Sequence, residues 1–424
     1  MTQIKEELID SNPWWKGEFR LDYKEREVYK QISKFIRLPQ MIAFTGLRRV
    51  GKTTLMLKIA EDFIKKGFEP RNIIYFSFDE FREVEIRELM KAYAELMERN
   101  LRQGKFLLLL DEIQKLKNWE DQLKRFYDIF GRNTKVVISG SESLFIQKKS
   151  KETLAGRLFE FKIDLLSFGE FLQFKGIDLR PSGLYEGEMR RLFNEFILTL
   201  GFPELIGVKE KEVIRKYVRE SIVEKIVYRD IPGLFKVKDP AILESMLNVI
   251  SEEPGQLIEV AELGKELGVT RQTVSNYLRY LEESFLVRKL YNFSRNRRKV
   301  ERKLKKYYPT IISPDFLFRE DSHSKSRLLE WLVVNQLKAD FFWRDQYKNE
   351  VDIILAGKEI IPVEVKYGKV DTQGISAFMR AFKVPMGYVV SLEKEGEFRR
   401  DAKRIKVIPA YKFLLANVSG KLRT

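Results

Sequence analysis

The chain has 424 residues, 44% of them hydrophobic, and a formal net charge of +16, which suggests two or three folded domains and excludes wholesale disorder. With no cysteine and one histidine, His323, it excludes disulfides, thiolate zinc sites, cysteine nucleophiles and multi-histidine centres, so any catalytic metal must rest on carboxylates, as magnesium or manganese does. No apolar run nears the ~20 residues of a membrane span and the N-terminus lacks a signal-peptide core, so a soluble, cytoplasmic protein with no membrane partner is expected.

MIAFTG (41–46) predicts a strand, and the amphipathic segment after it a helix closed by Gly67. NIIYFSF (72–78), KFLLLLDE (105–112) and TKVVISGS (134–141) predict further strands, separated by helices over 85–100 and 118–131. This alternation predicts an α/β fold, a parallel sheet with helices on both faces. Residues 165–232 read as mostly helical, broken at Pro181 to Gly183 and at 201–203. Residues 239–293 form a compact helical module with a hairpin, and from 326 onwards the pattern is helix, strand, strand, helix, strand.

GLRRVGKT fits G-x-x-x-x-G-K-[ST] between a predicted strand and a predicted helix, the context that gives the motif its meaning. Gly46, Leu47, Arg48, Arg49, Val50 and Gly51 would wrap backbone amides around phosphates, with Thr54 in the helix start behind them. Lys52 would reach the β- and γ-phosphates and Thr53 would give its hydroxyl to magnesium. The strand FLLLLDEI ends in Asp111, assigned to magnesium, and Glu112, assigned to the attacking water. The next strand brings Ser139 or Ser141 beside the γ-phosphate as a polar sensor. Arg157 is a candidate phosphate contact, in cis or from a neighbouring subunit, or else a plain surface arginine.

TGLRRVGKTTLM, LLLLDEIQKLKNW, ISGSESLF and AGRLFEFKIDLLSFGEF together resemble the archaeal AAA+ family ATPases related to the signalling NTPases. The resemblance runs over essentially the whole chain, including LGFPE at 200–204 and YRDIP at 228–232. It implies ATP or ADP with Mg2+ as ligands, an ATPase core over 1–165 and a helical lid over 166–236.

QLIEVAELGKELGVTRQTVSNYLRYLEES reads as a helix, a turn at Gly268, and a second helix capped by Thr270. This is a helix-turn-helix with Arg271, Gln272, Ser275 and Asn276 on the early face of its second helix, and a winged module over 237–310. Residues 287–306 carry ten Lys or Arg against one Glu, which favours DNA as partner through counterion release.

In the last segment, 311–424, VDIIL and IIPVEVKYG predict a hairpin that brings Asp352 towards Glu364 and Lys366. D-x(11)-E-x-K is the arrangement of PD-(D/E)xK nucleases, in which Asp352 and Glu364 would hold Mg2+ or Mn2+ and Lys366 would orient the attacking water. The preceding helix offers Glu330 as a further metal-side carboxylate, and in the resembling family this region is restriction-endonuclease-like. His323 reads as a loop residue. The function expected is an ATP-hydrolysing, DNA-associated protein. The alternatives are a nucleotide-gated switch or scaffold acting on a protein partner, and an ATP-regulated metal-dependent DNA nuclease; an oligomer is left open.

Overall fold

FLLLLD has no polar alternation because both of its faces are covered, as in any strand at the centre of a parallel sheet. The structure, a computed structural model, describes residues 2–140, 152–177, 183–296, 300, 304–400 and 403–418. The chain forms two units divided after Asp164. In the first, β1 (Met41–Thr45), β2 (Ile73–Ser77), β3 (Phe106–Asp111), β4 (Thr134–Ser139) and β5 (Leu158–Lys162) make one sheet in the order β2-β3-β4-β1-β5. Every pairing in it is parallel, with Leu108 opposite Val136 and Ile42 opposite both Val137 and Phe159. The central strands β1 and β3 are buried at every position. The four expected strands and the helices Lys52–Lys65, Ile86–Met97 and Trp119–Phe130 lie within one to three residues of their predicted ends.

Edge strand β5 was not expected: Leu158–Lys162 is short, alternates and is only partly buried, so its apolar signal is weak. Edge strand β2 is closed by a segment that sequence patterning did not resolve. After the helix Thr2–Ser11, buried Asn12 donates to the Tyr75 carbonyl at 2.9 Å and accepts from the Tyr75 amide at 2.7 Å. The indole N–H groups of Trp14 and Trp15 both donate to the Ile73 carbonyl, at 3.0 and 2.8 Å. These side chains satisfy main-chain groups that an open sheet edge would offer to another chain. Asn12→Ala would leave two β2 backbone groups without these bonds, at about 1–3 kcal/mol each. It is expected to lower the denaturant midpoint, and an unchanged midpoint would show that the two Tyr75 bonds add nothing to stability.

In the second unit, Ser167 caps the helix Phe168–Phe174 and the helix Glu186–Thr199 follows. The break expected at Pro181 to Gly183 falls largely outside the described residues. The one at 201–203 is present: Leu200 and Gly201 both take positive φ and Pro203–Leu205 winds one 3₁₀ turn. Residues 217–230 wind in wider π-type turns.

The helices Pro240–Glu252, Val260–Glu266 and Arg271–Glu283 then alternate with β6 (Gln256–Ile258), β7 (Val287–Asn292) and β8 (Lys305–Pro309). As expected, Thr270 Oγ1 accepts from the Thr273 amide at 3.1 Å and starts the last of these helices. β8 pairs antiparallel with β6 and β7, while the other edge of β7 pairs parallel with β9 (Phe341–Arg344), which pairs with β10 (Glu350–Val351). This sheet therefore runs across the boundary drawn between residues 310 and 311.

The last sheet has the order β11-β12-β13-β15-β14, from β11 (Ile353–Ala356), β12 (Ile360–Lys366), β13 (Met386–Ser391), β14 (Gly396–Arg400) and β15 (Lys403–Pro409). It has more strands than the pattern from 326 onwards suggested. The helices Ser322–Gln336 and Gln373–Phe382 belong to this part, and the second packs Phe378 and Met379 into a core with Trp343 and Val389. His323 is exposed in the first turn of the helix Ser322–Gln336 rather than in a loop, because Asp321 caps that helix.

Candidate functional site

β1 delivers the chain to Gly46, where φ is +141° and a Cβ would lie 2.2 Å from the Ile163 carbonyl oxygen. Only glycine fits there. Arg49 and Gly51 also take positive φ, which curls the loop back into the N-terminus of the helix Lys52–Lys65. Lys52 is buried, and its ammonium donates to the carbonyls of Gly46 at 3.1 Å and Leu47 at 2.8 Å. Leu47 and Val50 anchor the loop in the core, while Arg48 is half-buried and Arg49, Thr53 and Thr54 are exposed. Arg26, which no motif marks, is buried beneath: its guanidinium donates to the Val50 and Asp164 carbonyls, each at 2.7 Å.

Parallel strands bring their C-terminal ends to one edge, and the remaining groups converge there. Asp111, at the end of β3, accepts from the Thr53 hydroxyl at 2.6 Å, from the Tyr75 hydroxyl at 3.0 Å, and from the buried Ser139 hydroxyl. Glu112 follows in the left-handed region at φ 51° and accepts from the Gln114 amide at 2.7 Å. Burial pushes its carboxyl above the usual range, Asp111 adds to this, and Lys52 and Arg48 pull against it. Tyr75 read only as a strand residue in the sequence; it reaches Asp111 because β2 and β3 are neighbours in register, Ser77 opposite Asp111. The Thr53 hydroxyl and Asp111 carboxylate are hard oxygen donors within hydrogen-bond distance, which fits a magnesium ion beside phosphates.

Two expected residues stand apart. Ser141 lies outside the described residues. Arg157 is not brought to this site: its carbonyl accepts from the Met41 amide at the start of β1, the end of the sheet away from the phosphate loop, and its guanidinium pairs with Asp128 at 3.2 Å.

A five-stranded parallel sheet in this order, with a glycine-rich loop between its β1 and the next helix and an acidic pair ending β3, defines a P-loop nucleotide-binding domain. Residues 39–172 match the family described as an AAA domain. Residues 190–310 and 327–413 match two families, each described as a domain of unknown function. An uncharacterized protein of Methanocaldococcus jannaschii is 29% identical over 363 residues, covering 80% of this chain and 78% of the relative. One of Haemophilus influenzae is 29% identical over 269 residues, covering 62% and 65%. The AMPPCP-bound DnaA of Aquifex aeolicus is 18% identical over 62% of this chain and 90% of that one, at a TM-score of 0.29, too low to bear on function.

The second unit gathers the other predicted residues. β11 and β12 form the expected hairpin, Ile353 opposite Val363 and Ala356 opposite Ile360. Asp352 thereby sits beside Glu364, and its carboxylate accepts from the Val365 amide at 2.8 Å. Glu364 and Lys366 share a face, as residues two apart must, and pair at 2.8 Å. Glu330 is buried on the helix Ser322–Gln336 and accepts from the Tyr308 hydroxyl at 2.6 Å and from Arg327 at 3.2 Å.

Into this group comes a residue that the sequence did not single out. Lys306 of β8 is buried, and its ammonium lies 2.5 Å from Glu350, 3.5 Å from Glu330 and 4.0 Å from Asp352. Burial alone would raise Glu330, but Lys306 and Arg327 outweigh it and hold it below the usual carboxylate range. Burial, with the charges of Glu330 and Glu364, pushes Asp352 well above that range. Glu364 is pushed up to about 6 by burial, with Lys366 pulling against it.

The helix pair Val260–Glu266 and Arg271–Glu283 leaves Arg271, Gln272 and Ser275 exposed and Asn276 half-buried, with Gln272 donating to Asn276 at 3.1 Å. The basic run beside it is not uniformly solvated. Lys289 pairs with Glu282 at 2.6 Å, Arg288 donates to Asn335 at 3.2 Å, and Lys306 is in the carboxylate group. Residues 297–299 and 301–303 of the run lie outside the described residues. Among the described residues no helix is long and apolar enough to cross a membrane.

Proposed function

We propose that this chain binds MgATP on the loop Gly46 to Thr53, hydrolyses it, and engages DNA through the helix Arg271–Glu283. The observation that carries the nucleotide reading is the convergence of Thr53, Asp111 and Ser139 in front of a buried Lys52. Lys52 would release its loop carbonyls for the β- and γ-phosphate oxygens, replacing neutral partners with charged ones. Thr53 and Asp111 would hold the magnesium, which neutralises charge on the phosphates. Glu112 would polarise the attacking water, held in place by Gln114. Phosphate release measured with and without magnesium tests this directly: turnover that ignores magnesium would reject it.

The DNA part is supported by the exposed polar face of the helix Arg271–Glu283, the second of a helix pair joined by a short turn, and by the antiparallel pair β7 and β8 that follows it and would serve as the wing. Replacing Arg271 and Gln272 together by Ala is expected to weaken duplex binding about tenfold or more. The dependence of log K on log salt should become shallower by about one unit if Arg271 meets a phosphate. Binding that is indifferent to both salt and these residues would favour the second reading, a nucleotide-gated switch with a protein partner. That reading has its own support, since Arg288, Lys289 and Lys306 of the basic run are engaged within the fold.

A further inference from the structure

A restriction-endonuclease-like centre needs a divalent ion on its carboxylates, and the side chains here do not fit one. Among the described residues no group of three or more His, Asp or Glu side chains is arranged to hold a metal. The reason is visible in the pairing. Glu330 is met by Lys306, Tyr308 and Arg327. Glu350 is met by Lys306 at 2.5 Å and Arg344 at 3.4 Å. Glu364 is met by Lys366, and Asp352 by the Val365 amide with Lys306 at 4.0 Å. The cations Lys306, Arg327, Arg344 and Lys366 already stand among these four carboxyl groups, so the cluster carries no excess of negative charge for an added ion to offset. A divalent ion of the kind nucleases use binds through one or two carboxylates and completes its shell with water, and here Glu330, Glu350 and Glu364 each already face a cation while Asp352 accepts from a backbone amide.

We infer that Lys306 is the resident cation of this centre, its ammonium standing among Glu330, Glu350 and Asp352 beside the place an ion held by Asp352 and Glu364 would take, so that the domain neither takes up a divalent ion there nor cuts phosphodiesters. The ammonium is tethered. β8 holds Lys306 opposite Leu257 of β6 on one side and Leu290 of β7 on the other, and the Phe342 ring lies 5.4 Å from the charge. A strand in the middle of a sheet cannot slide aside without breaking its ladders on both edges. One atom points the other way: Glu364 Oε2 is buried with no hydrogen-bond partner among the described residues. The Lys306 ammonium lies 4.0 Å from the neighbouring Asp352 Oδ1, so an ion bridging the two carboxyls would come up against a fixed positive charge.

The inference does not depend on the nucleotide reading, and its test leaves the nucleotide out. Mn2+ is titrated into the full chain without ATP, and free Mn2+ is read by electron paramagnetic resonance for wild type, Asp352→Asn, Lys306→Met and the double variant Lys306→Met with Glu364→Gln. Wild type and Asp352→Asn are expected to bind Mn2+ identically, with no site attributable to Asp352. Lys306→Met removes the charge at nearly constant length; it should gain one Mn2+ per chain, melt lower than wild type, and be re-stabilised by Mn2+. The double variant should lose that site. Mn2+ bound by wild type and lost in Asp352→Asn would overturn the inference, as would a folded Lys306→Met that takes up none. If Lys306→Met does not fold, the comparison of wild type with Asp352→Asn still decides. Mn2+-dependent DNA cleavage by wild type that Asp352→Asn abolishes would restore the nuclease reading.

Discussion

Lys52→Ala is expected to reduce ATP turnover by about 10²–10³-fold, the cost of removing one preorganised donor from a developing phosphate charge. Ground-state binding should suffer as well, because the same ammonium faces the phosphates before and during transfer. The lysine is only 6% exposed, in a slot lined by the Gly46 and Leu47 carbonyls. Truncation therefore leaves two loop carbonyls without the donor that now meets them, and part of the loss is a looser loop. Lys52→Arg separates the two causes. It keeps the charge but replaces a compact ammonium by a planar fork too broad for the slot, so poor rescue would show that fit as well as charge matters. The measurements are steady-state phosphate release and the rise in melting temperature caused by MgATP. Turnover at the wild-type level in Lys52→Ala would mean that the loop is not the nucleotide site.

What could be read from the sequence follows from the range of the interactions involved. β1, β3 and β4 announce themselves because central parallel strands are apolar on both faces, and the loop and acidic pair lie at the ends of those strands. The hairpin of Asp352 with Glu364 was equally legible, since a tight turn fixes register over a dozen residues. Asn12, Trp14 and Trp15 were not, because their partners on β2 lie 58 to 63 residues away and no local pattern records such contacts. Arg26 is hidden for the same reason, 24 residues from the Val50 carbonyl it supports.

Lys306 shows a different limit. Within ten basic residues of a run of twenty, charge density suggested one solvated, DNA-facing surface. Strand alternation instead sends Lys305 and Lys306 to opposite faces of β8, and Lys306 alone enters the carboxylate cluster. Tyr307 and Tyr308 divide in the same way, the Tyr308 hydroxyl joining Lys306 on Glu330 from two residues further along the same face. Composition counted these charges without seeing which face of the strand each would take.

Glu112→Gln is expected to bind MgATP at close to wild-type affinity while hydrolysing it about 10²–10⁴-fold more slowly, the range for loss of a positioned general base. The replacement is isosteric, and the backbone at this position is held at φ 51° by the turn into Ile113–Lys115. Gln114, which now donates to the Glu112 carboxylate at 2.7 Å, could still meet an amide oxygen there. What disappears is the capacity to accept a proton from water. Asp111→Asn should behave differently: it weakens the group that accepts from Thr53, Tyr75 and Ser139 and would hold magnesium, so affinity for MgATP should fall along with turnover. Turnover near wild type in Glu112→Gln would move the role of base to another residue. Equal losses of affinity in both variants would instead make Glu112 part of the binding site. A Glu112→Gln protein that holds ATP also reports on coupling, because its DNA affinity can be compared in the ATP and ADP states without turnover blurring the two. A difference between those states would show that the nucleotide gates the helix Arg271–Glu283; identical affinities would leave the two activities side by side on one chain.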